Sequence, residues 1–247
     1  MVNVSSINTT GGGQYSINLS NMAGWGIGSG NRNNSGDLTL NLSSDKGGNW
    51  GFSNVSALYT SGNVSISGLL LSNLNITGGN LSFTNVSGTT TNATLNATTG
   101  NINITSSTNG GMALNKSNLT ANKDVTLNGS YVHLSGTNIS SSAGNINITG
   151  KNKSNVVGVL LHNTTLNASQ GNIAVDAQSA TYIDSFYGAN SGALVFRGNT
   201  SLSAEHIYVN GTNVNQKADS AIGNTVGIGF VRGGRYSFFG RGADRTV

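Results

Sequence analysis

Acidic side chains are the first candidates for chemistry in this chain, and they are few. The 247 residues include 8 acidic ones, of which Glu205 is the single glutamate. Glycoside hydrolases need two facing carboxylates, and calcium sites need several oxygen ligands held together. Asp176 and Asp184 are the nearest candidate pair, and no line of acidic residues accompanies them. The sequence therefore predicts that the chain is not an enzyme and has no cofactor.

The histidines do not have the spacing of a metal site either. His133, His162 and His206 stand alone beside apolar positions, and the chain has no cysteine. Zinc sites place their ligands at short, repeated spacings. Serines are abundant, but no nucleophile-elbow motif accompanies them. We expect three ordinary surface histidines and no metal.

A basic and aromatic cluster near the end of the chain is its main charged feature. The formal net charge is +4, and four arginines crowd around Tyr236, Phe238 and Phe239. Such a cluster is suited to sulfated or sialylated glycans, and no nucleic-acid-binding pattern surrounds it, so nucleic acid is not favoured. Alternatively, the aromatic residues cap an open end of the fold, or the tail is a fragment boundary. The candidate polyanion contacts are Arg232, Arg235, Arg241 and Arg245.

The overall composition favours strands and turns. Charged residues make up 8% of the chain, against roughly a quarter in ordinary domains. Asn, Ser, Thr and Gly provide most of the polarity, and proline is absent. These residues, mixed with β-branched ones, disfavour helices. No apolar stretch approaches the roughly 20 residues of a transmembrane helix. The expected class is all-β.

An internal repeat identifies the architecture. The motif GNINIT begins at Gly100 and again at Gly144, and a degenerate copy, GNIAVD, begins at Gly171. Each copy alternates apolar and polar residues, as a strand with one buried face does. The apolar pairs recur at steps of 17 to 27 residues. They are Ile17/Leu19, Leu38/Leu40, Val64/Ile66, Leu81/Phe83, Ile102/Ile104, Val125/Leu127, Ile146/Ile148 and Ile173/Val175.

Two further apolar positions follow the same repeat. The first comprises Leu74, Leu95, Leu119, Ile139 and Leu166, and the second comprises Leu69, Leu114, Leu134 and Leu161. Several short strands per period of about 20 residues predict a parallel β-helix, in which each strand pairs with its copy one coil later. We expect a leading segment at 1–13, coils at 14–212, and a tail at 213–247 that follows no repeat. Ile102, Val125, Ile146 and Ile173 should form one inward column.

A polar residue precedes each apolar pair. Asn tolerates tight turns, and stacked Asn side chains form hydrogen-bonded ladders. The sequence leaves two interpretations open, namely an inward ladder and ordinary surface turns. The ladder candidates are Asn63, Asn80, Asn101, Asn145 and Asn172, with Asp124 at the equivalent position.

Acceptor triplets for asparagine glycosylation are unusually frequent. Asn-x-Ser/Thr begins at 23 of the 38 asparagines, although Ser and Thr make up less than a quarter of the chain. Strand alternation explains part of this excess, and sugar attachment is the functional interpretation. The candidates on turns or outward strand positions are Asn75, Asn96, Asn103, Asn118, Asn138, Asn147, Asn163 and Asn167.

Taken together, these features resemble a known family. G-N-[IV]-x-[IV] strands, segments such as LNATTGNINIT and LNASQGNIAVD, low charge and missing cysteine resemble the filamentous-hemagglutinin type of two-partner secretion exoprotein, especially the high-molecular-weight adhesins. The resemblance covers roughly 14–212. It implies a right-handed parallel β-helix, export through an outer-membrane pore partner, sugars added by a cytoplasmic N-glycosyltransferase, and a host-cell glycan or protein receptor. The amino-terminal secretion domain of that family is not recognisable.

The sequence therefore favours a non-enzymatic fragment of a secreted adhesin on the bacterial cell surface. The main alternative is a structural stalk that positions a binding domain lying elsewhere. A weaker alternative is a polysaccharide-degrading enzyme, because parallel β-helices also carry pectate lyases and glycoside hydrolases.

Overall fold

The chain folds as a parallel β-helix. The computed structural model describes residues 3–4, 15–19, 26–27, 31–34, 38–42, 57–60, 62–67, 73–86, 88–106, 110–152, 157–179, 193–214, 228–230 and 235–240. Within these ranges every regular element is a β-strand, and all the strand pairs are parallel. The all-β solenoid expected from the repeat is confirmed.

Three long sheets run along the solenoid. Sheet 1 contains β2 (Tyr15–Leu19), β5 (Leu38–Leu42), β7 (Val64–Ser67), β9 (Leu81–Val86), β12 (Ile102–Ser106), β15 (Val125–Gly129), β18 (Ile146–Lys151), β21 (Ile173–Ser179) and β24 (Ile207–Asn213). Sheet 2 contains β4 (Asn31–Asn34), β6 (Ala57–Thr60), β8 (Asn75–Gly78), β11 (Thr94–Ala97), β14 (Asn118–Ala121), β17 (Asn138–Ser141), β20 (Thr165–Ala168), β23 (Asn199–Ala204) and β26 (Arg235–Gly240). Sheet 3 contains β10 (Gly88–Thr91), β13 (Met112–Asn115), β16 (Val132–Ser135), β19 (Val159–His162), β22 (Leu194–Arg197) and β25 (Ile228–Phe230). A separate short pair joins β1 (Asn3–Val4) to β3 (Gly26–Ile27).

One coil visits the three sheets in turn. Along the chain β13 lies in sheet 3, β14 in sheet 2 and β15 in sheet 1, and the next coil repeats this order with β16, β17 and β18. Each strand therefore lies between its copies in the coils before and after it. Extra residues in a coil are accommodated between strands, since two equivalent positions in β21 and β24 are 34 residues apart without a break in their pairing.

The inward column expected in sheet 1 is confirmed. Ile102 pairs with Val125, Val125 with Ile146, and Ile146 with Ile173. All four side chains are fully buried. Burying such a side chain contributes about 1.5 to 3 kcal/mol, so the column is a main source of stability. Ile207 extends it by one coil, although the apolar pairs read from the sequence end before it.

Two sequence alignments of the coils were wrong by two residues. Tyr15, not Ile17, pairs with Leu38 in sheet 1. In sheet 2, Ile76 pairs with Leu95, whereas Leu74 is buried in the turn that precedes β8. Side chains of a strand point to the same face every two residues, so a shift of the pairing by two residues keeps the same apolar face inward. Hydrophobic pattern alone therefore does not fix the register.

The column predicted in sheet 3 is present over the described coils. Leu114, Leu134 and Leu161 pair in succession, and Phe196 follows them. Thr90 occupies the preceding coil and is also buried. Leu69 lies outside the described residues.

The expectation that the tail at 213–247 follows no repeat was wrong for two segments. Strand β25 pairs with β22, and β26 pairs with β23, so both extend existing sheets. Phe238 lies in register with buried Leu202, and its ring meets Phe196 edge-on with the centroids 5.4 Å apart. Phe238 itself is 40% exposed and is the last member of this apolar column among the described strands.

Replacing Ile146 by Asp should disrupt several neighbouring coils. The carboxylate would be buried without a partner, so we expect the free energy of unfolding to fall by at least about 3 kcal/mol. Urea unfolding followed by circular dichroism measures the change.

Asn147→Asp provides the matched control, since Asn147 adjoins Ile146 but faces outward. Its free energy of unfolding should stay within about 0.5 kcal/mol of the parent value. Equal losses in the two variants would contradict the assignment of inward and outward positions.

Candidate functional site

A polar ladder runs along the turns that precede sheet 1. In each coil, a side-chain oxygen accepts a hydrogen bond from the backbone N–H of the equivalent residue one coil later. The five bonds are Asn80 N to Asn63 Oδ1 at 3.1 Å, Asn101 N to Asn80 Oδ1 at 2.8 Å, Asp124 N to Asn101 Oδ1 at 2.9 Å, Asn145 N to Asp124 Oδ1 at 2.7 Å, and Asn172 N to Asn145 Oδ1 at 2.9 Å.

The inward orientation considered for this ladder was wrong. Asn63 and Asn80 are exposed, and Asn101, Asn145 and Asn172 are only partly covered. The bond common to all five steps has a backbone donor, and side-chain amides add to it at two of them: Nδ2 of Asn80 donates to Oδ1 of Asn63 at 2.7 Å, and Nδ2 of Asn145 donates to Oδ1 of Asp124 at 3.4 Å. An acceptor oxygen is sufficient for that role, which explains why Asp replaces Asn at position 124.

The ladder ends at Asn172. The next coil carries His206 at the equivalent position, since Ile173 and Ile207 are paired. The Oδ1 atom of Asn172 is buried and accepts no hydrogen bond.

Close packing explains the glycine of the GN motif. A Cβ atom on Gly100 would lie 1.9 Å from Oδ1 of Asn80, and one on Gly144 would lie 2.5 Å from Oδ1 of Asp124. Real Cβ atoms do not approach other atoms so closely, so a larger residue at Gly100 or Gly144 would displace the ladder side chain beside it. The requirement is local to these coils, because Lys123 occupies the equivalent position between them and the bond from Asp124 N to Asn101 Oδ1 is intact at 2.9 Å.

A left-handed backbone conformation shapes the turn between sheet 3 and sheet 2. One residue there adopts a left-handed backbone, with φ of 56° at Asn92, 49° at Lys116, 59° at Gly136, 49° at Asn163 and 63° at Gly198. Asn73, with φ of 56°, occupies the equivalent position before β8. Asn and Gly tolerate this conformation well, and Lys does so with some strain. The sequence analysis did not find this column.

Buried hydroxyl groups follow these left-handed residues. Thr137, Thr164 and Thr200 are almost fully buried. Each Oγ1 lies within hydrogen-bonding distance of a sheet 3 leucine carbonyl in the preceding coil and of a second carbonyl in its own coil. The distances are 2.7 Å to Leu114, 3.2 Å to Leu134 and 3.3 Å to Leu161 between coils, and 3.3 Å to Ser135, 3.0 Å to His162 and 3.1 Å to Arg197 within the coil. These hydroxyls form an inward polar column, and its signal in the sequence was a Thr three positions after Leu134 and Leu161. Ser117, three positions after Leu114, is also buried but donates to the carbonyl of Asn115 in its own coil.

The candidate glycosylation sites all lie on the outer surface. Asn103, Asn118, Asn138, Asn163 and Asn167 are exposed. The other three, Asn75, Asn96 and Asn147, are partly exposed. Most of them belong to sheet 2, whereas two belong to sheet 1 and one to a turn. Their positions leave room for a sugar, and modification itself stays a prediction.

Asp176 is engaged in surface contacts. Its Oδ2 lies 2.8 Å from Nζ of Lys151, and its Oδ1 accepts a hydrogen bond from Nδ2 of Asn210 at 2.9 Å. The salt bridge is exposed, so it contributes little stability. Asp184 lies outside the described residues. Among the residues that are described, no group of three His, Asp or Glu side chains is arranged to hold a metal ion.

The three histidines lie in different surroundings. His206 is exposed, and Ser135 Oγ lies 3.3 Å from Nδ1 of His162. His133 is largely covered, with its ring 4.8 Å from that of Tyr131 and its Nε2 donating to the carbonyl of Val157 at 3.0 Å. Burial lowers the pKa of His133 below its ordinary value of 6.5, because the charged form loses hydration, and the hydrogen bond to Val157 only partly opposes this.

The proposed polyanion contacts are only partly visible. Arg235 begins β26 and is exposed. Arg232, Arg241 and Arg245 lie outside the described residues, so the structure does not show whether the four arginines meet.

The outer faces of the sheets differ in chemistry. Sheet 1 presents Asp176, Lys151 and exposed Tyr208 among its polar residues. Sheet 3 carries His133 and Val195, and Val195 is buried although it faces away from the core. Sheet 2, from β8 to β23, presents only Asn, Thr and Ser. It is the most uniform surface in the described part of the chain.

Comparisons with protein-family models, with curated proteins and with solved structures found no match to this chain. A search of the described residues for a helix of sufficient length and apolarity to cross a membrane found none.

The ladder should tolerate Asp124→Asn and be weakened by Asp124→Ala. Asn retains the acceptor oxygen, whereas Ala leaves the N–H of Asn145 without its bond, which costs about 1 to 3 kcal/mol in the free energy of unfolding. Urea unfolding of both variants measures the difference. Equal stability of the Ala and Asn variants would contradict the structural role of the ladder.

Acidification should destabilise the protein through His133. Because the pKa of His133 is lower in the folded than in the unfolded chain, the unfolded state binds the proton more readily. Stability is therefore complete above about pH 6.5 and falls as the pH decreases below that value.

The test is the melting temperature of the parent and of His133→Gln between about pH 7.5 and pH 5. The variant should show a smaller decrease on acidification. His206→Gln removes an exposed histidine and serves as the control. An unchanged pH dependence in His133→Gln would contradict the assignment.

Proposed function

We propose that this chain is a fragment of a secreted bacterial adhesin that attaches the cell to a host surface. The observation that carries the proposal is a long solenoid whose sheet 2 repeats the same neutral, hydrogen-bonding surface in coil after coil. With strands about 4.8 Å apart, nine paired strands span on the order of 40 Å. A partner can therefore be engaged at several coils at once.

Export as an unfolded chain is compatible with this fold. Each coil contacts mainly its neighbours, so coils can fold one after another as they emerge from a membrane pore. The chain has no cysteine, and hence no disulfide forms before passage. These features support the proposed outer-membrane pore partner and a location at the cell surface.

Sugar attachment by a cytoplasmic glycosyltransferase is part of the same proposal. The eight candidate asparagines have exposed or partly exposed side chains, so a glycan attached to them is compatible with the folded coil. The receptor side of the interaction is a host glycan or protein.

A structural stalk remains the second candidate function. The in-register stacking of coils favours it, because a uniform rod can hold a separate binding domain away from the cell. The two functions differ in one measurable property: an adhesive segment binds cells by itself, whereas a stalk does not.

Beads coated with the purified chain should adhere to cultured host epithelial cells. Soluble chain should compete for this attachment in proportion to its concentration. The matched control is Ile146→Asp, which presents nearly the same composition without intact coils. Failure of the parent beads to adhere above the control would overturn the adhesin proposal and favour the stalk.

A further inference from the structure

The outer face of sheet 2 is a regular array of neutral polar side chains. Strands β8, β11, β14, β17 and β20 have four residues each, with two side chains facing outward. The first outward column is Asn75, Thr94, Asn118, Asn138, Thr165 and Ser201, and the second is Thr77, Asn96, Thr120, Ser140, Asn167 and Ser203. We call these two columns the sheet 2 face.

Pairing is in register along this face. From β8 to β23 each outward residue lies beside its equivalent in the next coil, without a shift. Sheet 1 differs, because its register shifts between Ile104 and Ser106 where β12 meets β9. The sheet 2 face therefore repeats every coil, at the strand spacing of about 4.8 Å.

Hydrogen bonds along the columns restrain the side chains. Nδ2 of Asn138 donates to Oδ1 of Asn118 at 3.1 Å, and Oγ of Ser140 donates to Oγ1 of Thr120 at 3.2 Å. An amide has two donor hydrogens and two acceptor lone pairs, so each Asn retains further groups for an outside partner. Short, restrained side chains also lose little conformational freedom on binding.

The chemistry of the face selects among partner classes. It has no charged side chain, so it offers nothing to attract a polyanion or a polycation. It has no large apolar side chain either, so it lacks the buried anchors typical of protein interfaces. The face presents amide and hydroxyl groups that both donate and accept hydrogen bonds. The hydroxyl groups of a sugar also do both, so they can pair with these groups.

We propose that the sheet 2 face binds an uncharged, extended polysaccharide whose chain runs along the solenoid axis. The advance per sugar in an extended β-linked glucan is similar to the coil spacing. Because successive sugars of such a chain are turned over, every second sugar presents the same hydroxyl groups to every second coil. This inference rests on the proposed adhesive function and names the class of its receptor.

Binding should strengthen with the length of the sugar chain. A hydrogen bond exchanged with water contributes little by itself, so one sugar binds weakly. Each further sugar engages the next coil at a small additional cost in entropy, since the chain is already held. We expect about threefold or greater gain in affinity per added sugar until the face is spanned.

The test is calorimetric titration with cellobiose, cellotetraose and cellohexaose. The chain is produced in a host without asparagine glycosylation, because a sugar on Asn118 or Asn138 would cover the face. The inference therefore requires that the sugars proposed above are carried by Asn103, Asn147 or Asn163, which lie outside the sheet 2 face. Affinity should rise through the series. Absence of cellohexaose binding, or affinity independent of length, would each overturn the proposal.

Two variants in one coil locate the site. Thr120→Arg places a bulky side chain on the sheet 2 face, and Thr126→Arg places the same side chain on the outer face of sheet 1. Thr120→Arg should weaken cellohexaose binding by about tenfold or more, and Thr126→Arg should change it by less than about twofold. Equal losses would overturn the assignment to sheet 2.

The cell-adhesion experiment separates this inference from the proposed function. Adhesion of the parent chain without cellohexaose binding would overturn the neutral-polysaccharide inference and leave the adhesin proposal standing. Cellohexaose binding without adhesion to cells would overturn the adhesin proposal and leave the binding face supported.

Discussion

In-register parallel pairing between successive coils is the constraint on which the rest of the structure depends. It places every residue beside the equivalent residue of the next coil, so any property that repeats in the sequence becomes a column along the rod. Apolar residues form the inward columns of the core. Polar residues form ladders at the turns and uniform surfaces on the sheets. A substitution in an inward column consequently affects the packing of the coils on both sides of it.

Side chains in the two described turns form hydrogen bonds with the backbone of an adjacent coil, as acceptors in one turn and as donors in the other. Before sheet 1, an outward Asn or Asp oxygen accepts from a backbone N–H in the next coil, as Asp124 does from Asn145. Before sheet 2, an inward hydroxyl donates to a backbone carbonyl of the preceding coil, as Thr137 does to Leu114. A backbone group left unpaired in the buried part of these turns would cost stability, because it is shielded from water.

The same stacking links structure to the proposed function. A rod built from equivalent coils presents equivalent groups at regular intervals, and weak contacts repeated in register add to a strong one. The sheet 2 face has this regularity, whereas the outer face of sheet 1 is interrupted by the Lys151–Asp176 salt bridge and by Tyr208. Repetition of one type of neutral side chain in register therefore distinguishes the candidate binding surface from the other polar surface.

The sequence by itself determined the all-β class, the repeat and the inward columns, because alternate residues of a strand face opposite sides and the apolar ones face the core. Ile102 and its equivalents were identified in this way. It did not determine the register at Ile17 or Leu74, since a shift of two residues leaves the same face buried. It also left undecided whether the asparagine ladder points inward or outward. Only the tertiary structure decided these points, because the direction of a turn side chain depends on which backbone donor in the adjacent coil lies within hydrogen-bonding distance.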